Sequence, residues 1–262
     1  MNRIDKKFLE LRSQGNKAFI AFITAGFPSL EVTARLIEEF SRRGVDIVEL
    51  GVPFTDPVAD GPVIQQASFY ALKRGVNLSK ILALVKRARL KTEIPICLMT
   101  YYNPIFCYGE ERFIKEAKEC GVDGLIIPDL PPEEAVGLRR MAIKAGLDVI
   151  NFVAPTTSKE RLPFILKTST GFIYYVSLTG VTGERRQLPS DLLINLKRLR
   201  TLTLKPVCVG FGISHPLQIR RICQVADGVI VGSAIVKQIM RFKDKKDLVL
   251  KVADYLTWLK RG

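Results

Sequence analysis

The chain has 262 residues and a net charge of +14, with 47% hydrophobic and 25% charged residues. This composition is typical of a globular protein, and no apolar run reaches the ~18 residues of a transmembrane helix. The five cysteines are scattered without Cys-x-x-Cys spacing, which argues against a disulfide framework or a zinc cluster and predicts a cytoplasmic protein.

Short runs rich in β-branched and aromatic residues alternate with longer amphipathic segments from one end of the chain to the other. The runs predict eight strands that begin near residues 18, 47, 96, 124, 148, 171, 206 and 228. Their spacing is mostly that of one βα unit. We therefore expect an α/β fold in which residues 1–262 form a single (β/α)8 TIM-barrel domain, with an open doubly wound sheet as the alternative.

Amphipathic patterns predict the helices between these strands, and two more at the ends. The internal segments are 31–43, 79–89, 110–120, 133–145 and 216–225. Ile4, Phe8 and Leu11 form an apolar stripe that predicts an extra N-terminal helix covering the barrel floor, and residues 248–259 carry a similar stripe. The gaps after strands 2 and 6 are longer than a plain unit, so extended loops should lie there, over the active site of a barrel.

The positive charge is spread along helical segments such as 86–89 and 197–200. Nucleic-acid binding is one interpretation of such a positive charge. Because no long basic tail or aromatic RNA-binding motif accompanies it, we expect solvated helix faces and weak steering of an anionic substrate instead.

The second strand places a carboxylate inside an apolar run. Side chains alternate along a strand, so Ile47, Glu49 and Gly51 share one face. An inward-facing glutamate loses its hydration, and this raises the pKa of the carboxyl group into the range that suits proton transfer near neutral pH. The alternative is a structural Glu49 paired with a buried Arg or Lys.

Two aspartates follow in a proline-rich loop. Asp56 precedes Pro57 and Asp60 precedes Gly61, and both pairs are also turn signatures. The local sequence does not choose between the two as a second catalytic carboxylate.

Glycine-bearing segments follow the last three strands, where backbone N–H groups could approach an oxyanion. Ser214 and Ser233 are predicted N-caps of helices whose positive ends point the same way. Together these features predict a phosphate site at the segments Gly180-Val181-Thr182-Gly183, Gly210-Phe211-Gly212-Ile213-Ser214 and Gly232-Ser233-Ala234.

Aromatic side chains near the strand ends could pack the core or hold a flat aromatic substrate; Phe22, Tyr101 and Tyr174 are the relevant ones. His215 is the only histidine, so neither a histidine-based metal site nor a Ser-His-Asp triad is expected, and no metal is predicted.

These segments give the chain a resemblance to the α subunit of tryptophan synthase. The similarity runs in order from the first strand to the last and covers nearly the whole chain. The segments that carry it are 22–26, 49–54, 56–62, 99–104, 128–131, 180–183, 210–214 and 232–236.

The resemblance implies a lyase of tryptophan biosynthesis that cleaves indole-3-glycerol phosphate to indole and glyceraldehyde 3-phosphate by a retro-aldol reaction. It implies that Glu49 and Asp60 are the catalytic carboxylates, and so favours Asp60 over Asp56. The substrate-binding residues that it implies are Phe22, Tyr101, Tyr174, Thr182, Gly183, Gly212, Gly232 and Ser233.

The resemblance also implies an α2β2 complex in which indole passes to a β subunit. Pyridoxal phosphate then belongs to that partner, and no cofactor is expected in this chain. The implied contact residues are Asp56, Pro57, Asn103, Pro104, Asp129 and Pro131.

Two other functions compete with the lyase. One is a barrel without turnover that only activates its β partner, against which the intact Glu49 and Asp60 argue. The other is a different phosphate-sugar barrel enzyme, which would usually need a strand lysine that is missing beside Glu49.

Overall fold

The computed structural model describes residues 1–176, 191–210 and 212–261, and in it eight parallel strands close into a barrel. Each strand pairs with the next, and the last pairs with the first. This confirms the (β/α)8 barrel and excludes the open sheet. The strands are β1 Ala18–Thr24, β2 Ile47–Gly51, β3 Ile96–Met99, β4 Gly124–Ile126, β5 Asp148–Val153, β6 Ile173–Val176, β7 Val207–Gly210 and β8 Gly228–Val231.

Two of the strands begin later than predicted, for local reasons. Gly171 has a φ of 69° and belongs to a turn, so β6 begins at Ile173. Pro206 has no N–H group to donate to a ladder, and β7 begins one residue later at Val207. The other six strands begin at the predicted residue.

Twelve helices lie within the described residues and surround the barrel. They are α1 Arg3–Ser13, α2 Leu30–Arg42, α3 Pro62–Lys73, α4 Leu78–Ala88, α5 Tyr102–Tyr108, α6 Glu110–Cys120, α7 Val136–Lys144, α8 Leu162–Thr168, α9 Leu192–Leu202, α10 Pro216–Cys223, α11 Ser233–Phe242 and α12 Leu248–Leu259. The helix predicted at 133–145 begins only at Val136, because residues 131–135 form a turn on the Pro131 carbonyl oxygen.

Helix α1 covers the barrel floor, as its apolar stripe predicted. Ile4, Phe8 and Leu11 are buried against the interior residues of the barrel, and the Phe8 ring lies 5.8 Å from that of Phe172. Helix α12 behaves differently, since it packs in the outer layer against α2, α10 and α11.

The long connection after β2 contains residues 52–61 and then α3, an extra helix before α4. It therefore carries Asp60 from the end of β2 to the start of α3. The predicted extension after β6 includes residues 177–190, which lie outside the described part of the chain. Across the described ranges, no helix is both long enough and apolar enough to cross a membrane.

Candidate active site

Glu49 lies inside the barrel near the C-terminal end of β2, as the alternation of side chains predicted. It is fully buried, and in the register its neighbours are Phe22 on β1 and Cys97 on β3. Within the described residues neither carboxyl oxygen has a hydrogen-bond partner, so the alternative of a structural pair with Arg or Lys finds no support there. Burial, and then the nearby Asp60 charge, raise the pKa of Glu49 to about 8.

Asp60 is also buried, with 7% of its surface exposed, whereas Asp56 is exposed. The Asp60 backbone is fixed on both sides, since its N–H donates to the Pro57 carbonyl at 3.0 Å and its carbonyl accepts from Gln65 Nε2 at 2.8 Å. Burial raises the pKa of Asp60 to about 6, while a hydrogen bond from Tyr101 acts in the opposite direction.

Both carboxyl groups line one small cavity of about 40 Å³ at the C-terminal end of the barrel. The described residues that line it are Phe22, Glu49, Asp60, Ile64, Met99, Tyr174, Gly212, Ile230, Gly232 and Ser233.

The walls of this cavity are mostly apolar. Of the residues that the sequence singled out, Phe22, Tyr174, Gly212, Gly232 and Ser233 lie together there. Ile64 and Ile230 were not predicted, because an apolar residue at a helix start or in a strand carries no signal beyond ordinary packing.

Two strand glycines leave room for the aromatic rings of the cavity. A methyl group on Gly51 would lie 2.6 Å from Phe22 Cζ, and one on Gly210 would lie 2.6 Å from the hydroxyl of Tyr174. Real contacts of this kind are longer, so any side chain at these positions would displace a ring. The two glycines therefore shape the apolar walls beside Glu49.

The anion-binding features lie on the same side of the barrel. Helix α11 begins at Ser233, beside the cavity, and its first N–H groups have no partner within the helix. Together with the positive end of the helix dipole, they favour an anion at this point. Thr182, Gly183 and Phe211 were predicted to belong to this region and lie outside the described residues.

The predicted N-caps Ser214 and Ser233 are both wrong by one residue. Helix α11 is capped by Gly232, and Ser233 is its first residue. Helix α10 is capped by His215, whose Nδ1 accepts from the Leu217 N–H at 3.3 Å. Ser214 instead donates its backbone N–H to Gln218 Oε1 at 2.9 Å.

The predicted partner-contact residues follow β2, β3 and β4, on the rim around the cavity. Asp56, Asn103 and Asp129 are exposed, while Pro57, Pro104 and Pro131 are half-buried. Asp129 Oδ1 accepts from the Tyr102 N–H at 2.9 Å, which joins the loops after β3 and β4.

A larger cavity of about 510 Å³ lies at the opposite end of the barrel, lined by Lys7, Lys17, Asp46 and Lys260 among others. Its ammonium groups belong to side chains that reach solvent, and Lys7 is paired with Glu10. Size alone does not indicate catalysis, and we assign the chemistry to the small cavity because two buried carboxyl groups meet there.

Comparison with known proteins gives one consistent result. A sequence model of the tryptophan synthase alpha chain family matches residues 8–260. The tryptophan synthase alpha chain of Geotalea daltonii is 49% identical over 262 residues, covering 100% of this chain and 99% of its own. That of Thermoanaerobacter sp. is 45% identical over 260 residues, covering 99% of each.

Solved structures agree with the sequence comparison. The tryptophan synthase alpha chain of Legionella pneumophila superposes with a TM-score of 0.92 at 38% identity, covering 100% of this chain and 97% of that one. A chain of the tryptophan synthase a2b2 complex of Pyrococcus furiosus gives a TM-score of 0.86 at 34% identity, covering 94% and 98%.

Proposed function

The chain belongs to the tryptophan synthase alpha chain family, and from this premise we propose that Glu49 and Asp60 are its catalytic carboxylates. The enzyme is a carbon–carbon lyase that cleaves indole-3-glycerol phosphate to indole and glyceraldehyde 3-phosphate. The observation that carries the residue assignment is the meeting of two buried carboxyl groups in one apolar cavity at the C-terminal end of the barrel.

Glu49 acts first as an acid and then as a base. Its carboxyl group donates a proton to C3 of the indole ring, which becomes a cationic indolenine. The resulting carboxylate then takes the proton of the hydroxyl on the adjacent glycerol carbon, and the carbon–carbon bond breaks. The electron pair of that bond returns to the ring as indole, and the carbon becomes the aldehyde. A pKa of about 8 suits both steps.

Asp60 stabilises the positive charge that develops on the ring nitrogen. A fixed anion in an apolar site is more effective there than in water, since little solvent screens it. Phe22 and Tyr174 pack against the indole ring of the substrate, because both border the cavity beside Glu49. The role of Tyr101, also expected among the substrate-binding residues, is taken up in the next subsection.

The phosphate group of the substrate binds at the α11 end of the cavity. Gly212, Gly232 and Ser233 lie there, and the N-terminus of α11 offers N–H donors. Thr182 and Gly183 are proposed for the same phosphate on the sequence alone.

We further propose that the chain assembles as α2β2 with a β subunit that holds the pyridoxal phosphate and receives the indole. The proposed contact residues Asp56, Pro57, Asn103, Pro104, Asp129 and Pro131 surround the cavity mouth. Val58 and Phe106 lie among them with 76% and 65% of their surfaces exposed. Large exposed apolar side chains of this kind favour a protein contact.

We place the protein in the cytoplasm. All five cysteines are free, and Cys97 and Cys208 are buried, which suits a reducing compartment.

The test is release of indole from indole-3-glycerol phosphate by the purified chain, with and without β subunit. Glu49→Gln and Asp60→Asn should each lower kcat by about 10³-fold or more, as expected for single catalytic groups. Asp56→Asn, in the same loop but exposed, is the matched control and should leave the activity of the isolated chain near that of wild type. Near-normal turnover by Glu49→Gln would refute its role as the acid and base.

A further inference from the structure

Tyr101 is held in place from two sides. It lies two residues after the end of β3 and is the N-cap residue of α5, and only 4% of its surface is exposed. Its ring stacks on that of Phe54, with centroids 5.1 Å apart and planes 30° apart. Phe54 belongs to the loop after β2, so Tyr101 is anchored against the same loop that carries Asp60.

The hydroxyl group of Tyr101 is already engaged within the protein. It accepts a hydrogen bond from the Ala59 N–H at 3.0 Å, which places it next to Asp60, and it interacts with the carboxyl group of that residue. A phenol has a single O–H to donate. While that proton is shared with Asp60, Tyr101 has no donor for a substrate, and it is not among the described residues that line the cavity.

The remaining freedom of Asp60 is in its side chain. Its own backbone N–H and carbonyl are fixed by Pro57 and Gln65, and the Tyr101 hydroxyl, held at the Ala59 N–H, lies beside its carboxyl group. We propose that Tyr101 is a positioning residue, whose hydroxyl orients the Asp60 carboxylate toward the cavity without contacting the substrate. This rests on the proposed catalytic role of Asp60.

The same contact affects protonation. A hydrogen bond donated to a carboxylate favours its charged form, whereas burial disfavours it. Tyr101 therefore opposes the effect of burial on the pKa of Asp60 and helps keep the anion available at neutral pH.

The test is Tyr101→Phe, which keeps the ring and its stacking on Phe54. We expect kcat to fall by about 10- to 100-fold, the loss of one hydrogen bond to a charged group, with KM nearly unchanged. The low-pH limb of the activity profile should move to higher pH. In an Asp60→Asn background, the same substitution should have little further effect, because the two residues act as one unit.

A matched control is Tyr108→Phe, which removes a tyrosine hydroxyl that bonds to Glu116 on α6 and should leave kcat unchanged. A rise in KM at constant kcat, or full additivity with Asp60→Asn, would overturn the proposal in favour of direct substrate contact. If Tyr101→Phe folds poorly, 3-fluorotyrosine at position 101 replaces it. Its more acidic hydroxyl should lower the pKa of Asp60, opposite to the effect of Phe.

An activity-independent readout separates this proposal from the proposed function. The pKa of Asp60 can be followed by NMR of ¹³C-labelled aspartate carboxyl groups, with Asp60→Asn to assign the signal. A raised pKa in Tyr101→Phe together with an inactive wild type would refute the lyase assignment and leave the orienting contact standing. An active wild type with neither pKa nor kcat altered by Tyr101→Phe would refute the positioning role alone.

Discussion

Glu49 and Asp60 share one cavity but differ in what surrounds each carboxyl group. Glu49 has no hydrogen-bond partner within the described residues and lies near the Asp60 charge, whereas the Tyr101 hydroxyl acts to lower the pKa of Asp60. The difference places the pKa of Glu49 near 8 and that of Asp60 near 6. Between these values one group is a protonated acid and the other is an anion, which is the combination that the retro-aldol reaction needs.

We therefore expect a bell-shaped dependence of kcat/KM on pH. Activity should rise as Asp60 ionises near pH 6 and fall as Glu49 loses its proton near pH 8. The measurement is initial-rate kinetics of indole release from pH 5 to about 10. The Asp60→Asn variant should lose the low-pH limb. Its high-pH limb should shift to lower pH, because the anion that raises the pKa of Glu49 is gone. A profile without a high-pH limb would contradict the role of Glu49 as the initial acid.

The buried Glu49 should also make the stability of the fold depend on pH. Its pKa is 4.5 ordinarily and about 8 in the fold, so the folded state binds the proton more tightly. The stabilisation that this proton gives to the folded state is fully present below pH 4.5 and is lost as the pH rises through about 8. The unfolding free energy of Glu49→Gln relative to wild type should rise across this window by at most about 1.4 kcal/mol per pH unit. Urea unfolding at several pH values measures it, and a difference that does not vary with pH would contradict the assignment.

At the scale of elements, strands were predicted better than helix ends. Alternating apolar runs mark strand starts directly, and only β6 and β7 began late. Helix ends depend on which side chain reaches a free N–H group, and neighbouring polar residues compete for that place. Ser214 and His215 illustrate this, since the pattern favours serine but the histidine ring makes the bond in the structure.

Asn2 offers a test of how α1 is attached to the barrel floor. Its Oδ1 accepts from the N–H groups of Ile4 and Asp5, and its Nδ2 donates to Asp148 Oδ2 at 2.6 Å and to the Asp123 carbonyl at 3.0 Å. Asn2→Ala therefore loses both a helix cap and a link to the barrel. We expect a loss of about 2–3 kcal/mol in the free energy of unfolding, with kcat unchanged because the proposed active site is at the other end of the barrel.

The control for this prediction is Asn77→Ala. Asn77 caps α4 by accepting from the Lys80 N–H at 3.0 Å, so its replacement removes a cap without the link to the barrel. The Asn77→Ala variant should lose about 1 kcal/mol in the free energy of unfolding. Equal losses for the two variants, measured by chemical denaturation, would show that the contacts of Asn2 with the barrel do not stabilise the fold.

At the scale of the whole molecule, the sequence could predict the barrel, the inward face of Glu49 and the glycine-bearing strand ends, because each follows from a local pattern. The nature of the contact between Tyr101 and Asp60 could not be predicted. It joins residues 41 positions apart through a hydroxyl whose direction depends on the closed barrel and on the stacking of Phe54. Local sequence likewise did not separate Asp60 from Asp56, which differ in burial.

The exposed Phe106 provides a test of the proposed partner face. It lies on α5 beside Asn103 and Pro104, and 65% of its surface is exposed, so replacing it should affect folding little. Phe106→Asp would place a charge in a contact that loses water on assembly, and we expect β-subunit affinity to fall by about 10-fold or more. Leu204→Asp is the control, because Leu204 is 89% exposed but precedes β7 at the opposite rim. Titration calorimetry with purified β subunit would measure both variants, and equal affinities for the two would place the contact elsewhere.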